Sequence, residues 1–202
     1  MFIQVIQGQV SDAAEVRAAF DRWVQQEAPR ATGWLGSTAG VTDDGRFIAL
    51  ARFESEEAAR ANSDRPEQGK WWTETAKLFS GDVTFQNCSE VVQWGSGGSD
   101  DAGFVQVMQG RVRDADRMRE LNEQADAAGG DYRTDVLGGV VGLHGDGGYT
   151  NAVYFTSELA AREGERKEPP EDVKAMMEES MALLEGPPTF FDLRDPWLSS
   201  PR

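Results

Sequence analysis

The chain has one cysteine, one histidine, few basic residues and no long apolar run, and each scarcity removes a class of explanation. Cys88 on its own excludes an intrachain disulfide, so burial must hold the fold together, as suits a reducing compartment. His144 on its own cannot supply the clustered His and Cys spacing of a metal site, nor a Ser-His-Asp set, so no metal or cofactor is expected. No stretch approaches the ~20 apolar residues that a bilayer crossing needs, and Met1 leads directly into strand pattern, so a cytoplasmic location is expected. Lys and Arg number 20 against 35 Asp and Glu, a net charge of −15 over 202 residues. Such a surface repels phosphate backbones and anionic headgroups, so neither nucleic acid nor a membrane is an expected partner. Gly95-Ser96-Gly97-Gly98 lacks the Lys of a phosphate loop and reads as a linker.

What is present is one unit written twice. Phe2-Ile3-Gln4-Val5-Ile6-Gln7-Gly8-Gln9-Val10 returns as Phe104-Val105-Gln106-Val107-Met108-Gln109-Gly110-Arg111-Val112, an offset of 102. At the same offset Asp12 meets Asp114, Gly40 meets Gly142, Asp44-Gly45 meets Asp146-Gly147, and Phe53-Ser55-Glu56 meets Phe155-Ser157-Glu158. Trp71, Trp72, Leu78 and Phe79 meet Met176, Met177, Leu183 and Leu184 at an offset of 105, so the loop around Glu165 to Pro170 is about three residues longer. The expected domains are 1–94 and 104–202, joined by a linker over 95–103.

Within a repeat, Phe2–Val10 reads as a strand. Asp12 caps a helix whose apolar stripe is Val16, Ala19, Phe20, Trp23 and Val24. Gly33–Val41 and Phe47–Phe53 are strands joined by Asp44-Gly45, a pair that supplies the positive φ angles of a tight primed turn. Ser55 caps a short helix, a second helix carries Trp71 and Trp72, and Val83–Asn87 closes the repeat. The order β-α-β-β-α-β is the ferredoxin-like plan, with both helices on one sheet face. Strand one has apolar residues on both sides, so its second face also needs cover. The predicted class is α+β: two ferredoxin-like βαββαβ repeats packed sheet to sheet as an intrachain pseudo-dimeric α/β barrel, either a monomer with an internal pseudo-two-fold or a homodimer.

The opening strand, the Asp44-Gly45 hairpin and Phe53-Glu54-Ser55-Glu56-Glu57-Ala58-Ala59, with their second copies, resemble the dimeric α/β-barrel superfamily. Within it they are similar to antibiotic-biosynthesis-monooxygenase-like domains fused in tandem. The resemblance implies a pocket for a small aromatic or hydrophobic ligand, an oxygenase that needs no cofactor, and polar or aromatic groups holding the substrate anion. It also admits haem-degrading members, though their ligand is commonly a histidine on a helix, and His144 sits beside a turn.

Seven residues are candidates for ligand binding. Asn62 stands where related domains place a polar residue after the Ala-containing helix, but a helix-ending role serves equally. Trp71 and Trp72 either line a pocket or pack the core, and the spacing is what an amphipathic helix needs in any case. The stripe Val173, Met176, Met177, Ser180, Met181 and Leu184 of repeat two is a core pattern. If Ile3 and Val5 pack under the helices, Gln4 and Gln106 point to the opposite face. Alternation from Phe53 and Phe155 puts Arg52 and Tyr154 there as well. This cluster either reads a ligand or forms a satisfied polar set that docks the repeats. Trp94 and Trp197, each following the last strand of a repeat, are candidates for contacts between repeats. No acid, base or nucleophile set is shared by both copies, which leaves a non-catalytic, ligand-sequestering or structural role open.

Overall fold

The computed structural model describes residues 1–128 and 132–201. It divides into two compact units, Met1–Val91 with Asp195–Arg202, and Val92–Arg194. In chain order the elements are β1 (Phe2–Val10), α1 (Ala13–Gln26), β2 (Trp34–Val41), β3 (Arg46–Phe53), α2 (Glu56–Ser63), α3 (Pro66–Thr75), β4 (Phe79–Cys88) and β5 (Glu90–Gly95). They continue with β6 (Phe104–Arg111), α4 (Ala115–Ala128), β7 (Val136–Leu143), β8 (Gly148–Phe155), α5 (Glu158–Gly164), α6 (Glu171–Ala182), β9 (Thr189–Leu193) and β10 (Trp197–Ser199). Among the described residues no helix is long and apolar enough to cross a membrane.

The first unit is a five-stranded antiparallel sheet in the order β10-β2-β3-β1-β4. Asp12 caps α1 by accepting the N–H groups of Ala14 (2.9 Å) and Glu15 (3.1 Å), which satisfies donors that the helix itself leaves orphaned. Val16, Ala19 and Trp23 form its buried face. Ser55 caps α2 through the N–H of Ala58. Pro66 opens α3, where its missing N–H costs nothing. β2 and β3 are antiparallel neighbours, but their turn is one residue longer than a two-residue primed turn. Thr42 N–H reaches Arg46 O (2.9 Å), leaving Asp43-Asp44-Gly45 as the loop, with Gly45 at φ +80°.

The second unit repeats the plan in the order β5-β7-β8-β6-β9. In each sheet the strand beside β2 or β7 comes from the segment that follows the other repeat. Trp94 of β5 lies on Gly139, where an added Cβ would sit 2.4 Å from its ring. Trp197 of β10 pairs with Ala39 and packs its ring against Phe20 (6.0 Å) and Phe47 (6.1 Å).

The cores differ in content. Phe20, Trp23, Trp34, Phe47, Trp71, Trp72, Phe79, Phe85 and Trp197 form a connected set of rings in the first unit, with neighbouring centroids 5.2–6.2 Å apart. Such contacts add ~0.5–1.5 kcal/mol per pair beyond their area. In the second unit Phe104, Val153, Phe155 and Ala161 form one buried cluster, with Trp94, Met108 and Val136 against it. The apolar stripe of α6 does not become core: no residue of the helix is buried, and Met177 and Met181 are exposed. Arg117 of α4 ties the helix down through Glu179 instead (2.7 Å).

Candidate functional site

Strand register decides which candidates meet. Residues directly opposite in an antiparallel pair share a face. Phe2 opposes Phe53 and Gln4 opposes Ala51, whereas Ile3 opposes Arg52 and Val5 opposes Leu50. Phe2, Ile6 and Val10 are the residues that pack with α1 and α2, so Gln4 lies on the helix face and Arg52 on the other. Gln106 opposes Val153, and Tyr154 opposes Val105, with the same result in the second unit. The sequence reading that put Gln4 with Arg52, and Gln106 with Tyr154, is therefore corrected. Both apolar sets of β1 are buried, so composition alone could not tell which one packs under the helices.

On the helix faces the candidates are occupied. The Gln4 amide donates to Asn87 (3.1 Å), and the Gln106 amide to Asp192 (2.8 Å), which also pairs with Arg162. Arg162 lies 5.2 Å over the ring of Phe104. Trp71 donates its indole N–H to Ala19 O (3.0 Å), and Trp72 stacks edge-on against Phe85 (5.2 Å), so both are members of the aromatic core. Asn62 is buried and accepts from Arg65 Nη1 (2.9 Å), while Arg65 also pairs with Glu27. Its counterpart Gly164 leaves room for another enclosed pair, Arg133 with Asp135 (2.7 Å); an added Cβ would lie 2.5 Å from Arg133 Nε and 2.8 Å from Asp135 Oδ1. Burial raises the Asp135 pKa, but the Arg133 hydrogen bonds outweigh it and hold the carboxyl below its ordinary value.

Other reactive groups are also engaged. Burial pushes the His144 pKa down against the pull of Asp146, and its Nε2 is 2.9 Å from the Thr150 hydroxyl. Burial lifts the Cys88 thiol to about 11. Among the described residues no three His, Cys, Asp or Glu side chains gather as a metal site would require.

Two side chains stand apart. Asn151, where the first unit has Ala49, buries an Oδ1 with no partner among the described residues. A polar residue within the apolar alternation of β8 was the sequence signal for it. Arg52 is 5% exposed, its Nε has no partner among the described residues, and no described carboxylate pairs with it. Its guanidinium lies at the β2 bulge, where Gly36 has φ +133°. A Cβ there would sit 2.6 Å from Arg52 Nη2, 2.8 Å from Ser199 O and 3.1 Å from Ser200 Oγ. Tyr154, its counterpart, is 1% exposed.

A cavity of about 640 Å³ opens in the first unit, lined by Val24, Gln25, Ala28, Pro29, Ala31, Trp34, Ser200 and Pro201. The sequence reading did not single it out, because Ser200 and Pro201 reach this place only through the pairing of β10 with β2. Its lining is mostly apolar, one wall is an indole, and none of these side chains titrates.

No protein-family model matches the sequence, and no curated protein matches it. Solved structures do match in fold. A candidate monooxygenase of Fusobacterium nucleatum superposes with a TM-score of 0.76 at 10% identity, over 98% of this chain and 94% of that one. A candidate monooxygenase of Lactobacillus acidophilus gives 0.73 at 13% identity, over 98% and 95%. An anthrone oxidase-like protein gives 0.63 at 15% identity, over 98% and 93%. The chain thus has the tandem, two-sheet α+β fold of these monooxygenase-like structures along its whole length.

Proposed function

We propose that the protein is a monooxygenase-like small-molecule binder that holds an aromatic or hydrophobic compound and, where it reacts, uses oxygen without a metal. The observation that carries this reading is the 640 Å³ cavity walled by Trp34, Val24, Ala28 and Ala31, in a fold shared end to end with candidate monooxygenases. Its dimensions and apolar lining suit a flat ring system. The lining offers no acid or base, so proton chemistry falls to the substrate itself, as an electron-rich hydroxyaromatic can supply. The same feature favours a second reading, sequestration without turnover. Cytoplasmic residence belongs to the proposal, in keeping with a single buried thiol.

The test is native mass spectrometry of the purified full chain for a co-purified ligand, followed by oxygen uptake on adding an anthrone. Binding with oxygen uptake that is lost in Trp34→Ala supports the oxygenase. Binding without uptake selects sequestration. No retained ligand and no binding of planar aromatics at millimolar concentration would overturn both.

A further inference from the structure

We propose that Arg52 is an anion-binding group, and that the ligand it takes carries a carboxylate on an aromatic or apolar body. This deepens the small-molecule reading and rests on it.

The first ground is that Arg52 is a buried charge that faces no carboxylate among the described residues. A guanidinium removed from water without a counter-ion is strongly unfavourable, and proteins retain one where something supplies the negative charge. Arg65 and Arg133, also enclosed, each face a carboxylate, Glu27 and Asp135 respectively. Arg52 is 5% exposed, with Nε unsatisfied among the described residues.

The duplication provides the second ground, because it is an internal control. Arg52 and Tyr154 occupy the same register: each is opposite an apolar residue of the first strand, Ile3 or Val105, and opposite a bulge glycine, Gly36 or Gly138. Each has an exchanged edge strand beyond that glycine. In the second unit a Cβ on Gly138 would meet the backbone N atoms of Ser96 and Gly97 at 2.7 Å, so ordinary main chain fills the place that Arg52 Nη2 takes in the first. A neutral side chain therefore satisfies this position in the same architecture, and the charge of Arg52 is not needed to build it.

The third ground is location. Ser200 lines the cavity, and its hydroxyl stands within 3.1 Å of the same point beside Gly36 that Nη2 approaches to 2.6 Å. Ser200 thus borders both the apolar space and the guanidinium. The segment carrying it is held to β2 by three paired residues only, Trp197, Leu198 and Ser199. Arg52 lies on the sheet face away from α1 and the cavity on the α1 side, so Ser200 at the sheet edge is their shared neighbour, and a planar fork of donors there matches a carboxylate.

The test is thermal unfolding of the full chain in Tris chloride with benzoate or 2-naphthoate, with the neutral amides of both, and with inorganic phosphate. Wild type and the variants Arg52→Tyr and Arg52→Met are compared. The tyrosine variant imports the residue that the second repeat already accommodates. In wild type the carboxylates should raise Tm saturably, by about 5–10 °C at a hundred times Kd, and the amides should not. Both variants should lose that shift and, free of ligand, melt at or above the wild-type temperature. A shift with phosphate alone keeps the anion site but removes the organic ligand. Amides that stabilise all three proteins equally leave the small-molecule reading standing and take Arg52 out of it. A carboxylate shift that survives in both variants, no shift with any oxyanion, or ligand-free variants that melt several degrees lower would each overturn the assignment.

Discussion

Replacing Asn62 by Ala separates a structural from a ligand-holding role for the residue that family likeness singles out. Asn62 Oδ1 accepts from Arg65 Nη1 at 2.9 Å in an enclosed cluster whose third member is Glu27. The substitution removes one hydrogen bond to a charged donor, ~1.5–3 kcal/mol. Arg65 keeps the Glu27 carboxylate and, at 3.3 Å, the Glu27 carbonyl, so its charge is not orphaned. The better helix propensity of Ala returns ~0.5 kcal/mol. The net expectation is a loss of ~1–2.5 kcal/mol, which shifts a urea midpoint by roughly 0.5–1 M. Five of the six tryptophans belong to the first unit, so indole fluorescence follows the unit in question. A double-mutant cycle with Arg65→Met should show a coupling of at least ~0.5 kcal/mol. An unchanged midpoint, with loss of a bound compound, would refute the structural assignment and return Asn62 to the ligand.

The Arg133–Asp135 pair makes the second unit acid-sensitive. The folded Asp135 carboxyl lies below its ordinary value, so its stabilisation is fully present above about pH 4, the unfolded pKa, and is lost as pH falls through the folded pKa. Asp135→Asn should lower stability at pH 7 and flatten the decline between pH 5 and pH 2 followed by circular dichroism; an equally steep decline in the variant would show that other carboxylates set it. Cys88, fully buried where the second repeat has Leu193, has its thiol raised to about 11. It should resist iodoacetamide at pH 8 until urea unfolds the first unit, and rapid labelling of the native protein would contradict its placement.

The element order, the helix caps at Asp12 and Ser55 and the existence of two copies were legible in the sequence, because each rests on local patterns: strand alternation, helical stripes, capping side chains and an offset between repeats. Arg52 was legible as a polar side chain among apolar neighbours. What decided its surroundings was tertiary. Because Ile3 and Val5 are as apolar as Phe2 and Ile6, only strand pairing could separate Gln4 from Arg52, and a one-residue change of parity turns every side chain to the other face. The Glu27 carboxylate that meets Arg65 beside Asn62, the space under Gly164 and the cavity beside Trp34 bring together residues about 30 to more than 160 positions apart in the chain, beyond the reach of periodicity. The sequence by itself determined a duplicated α+β chain with its strands and helices in order. Only the tertiary structure decided that β5 and β10 exchange edges, which polar groups find partners, and that Arg52 Nε has none among the described residues, since burial and pairing are properties of the packed surfaces that the chain creates when it folds.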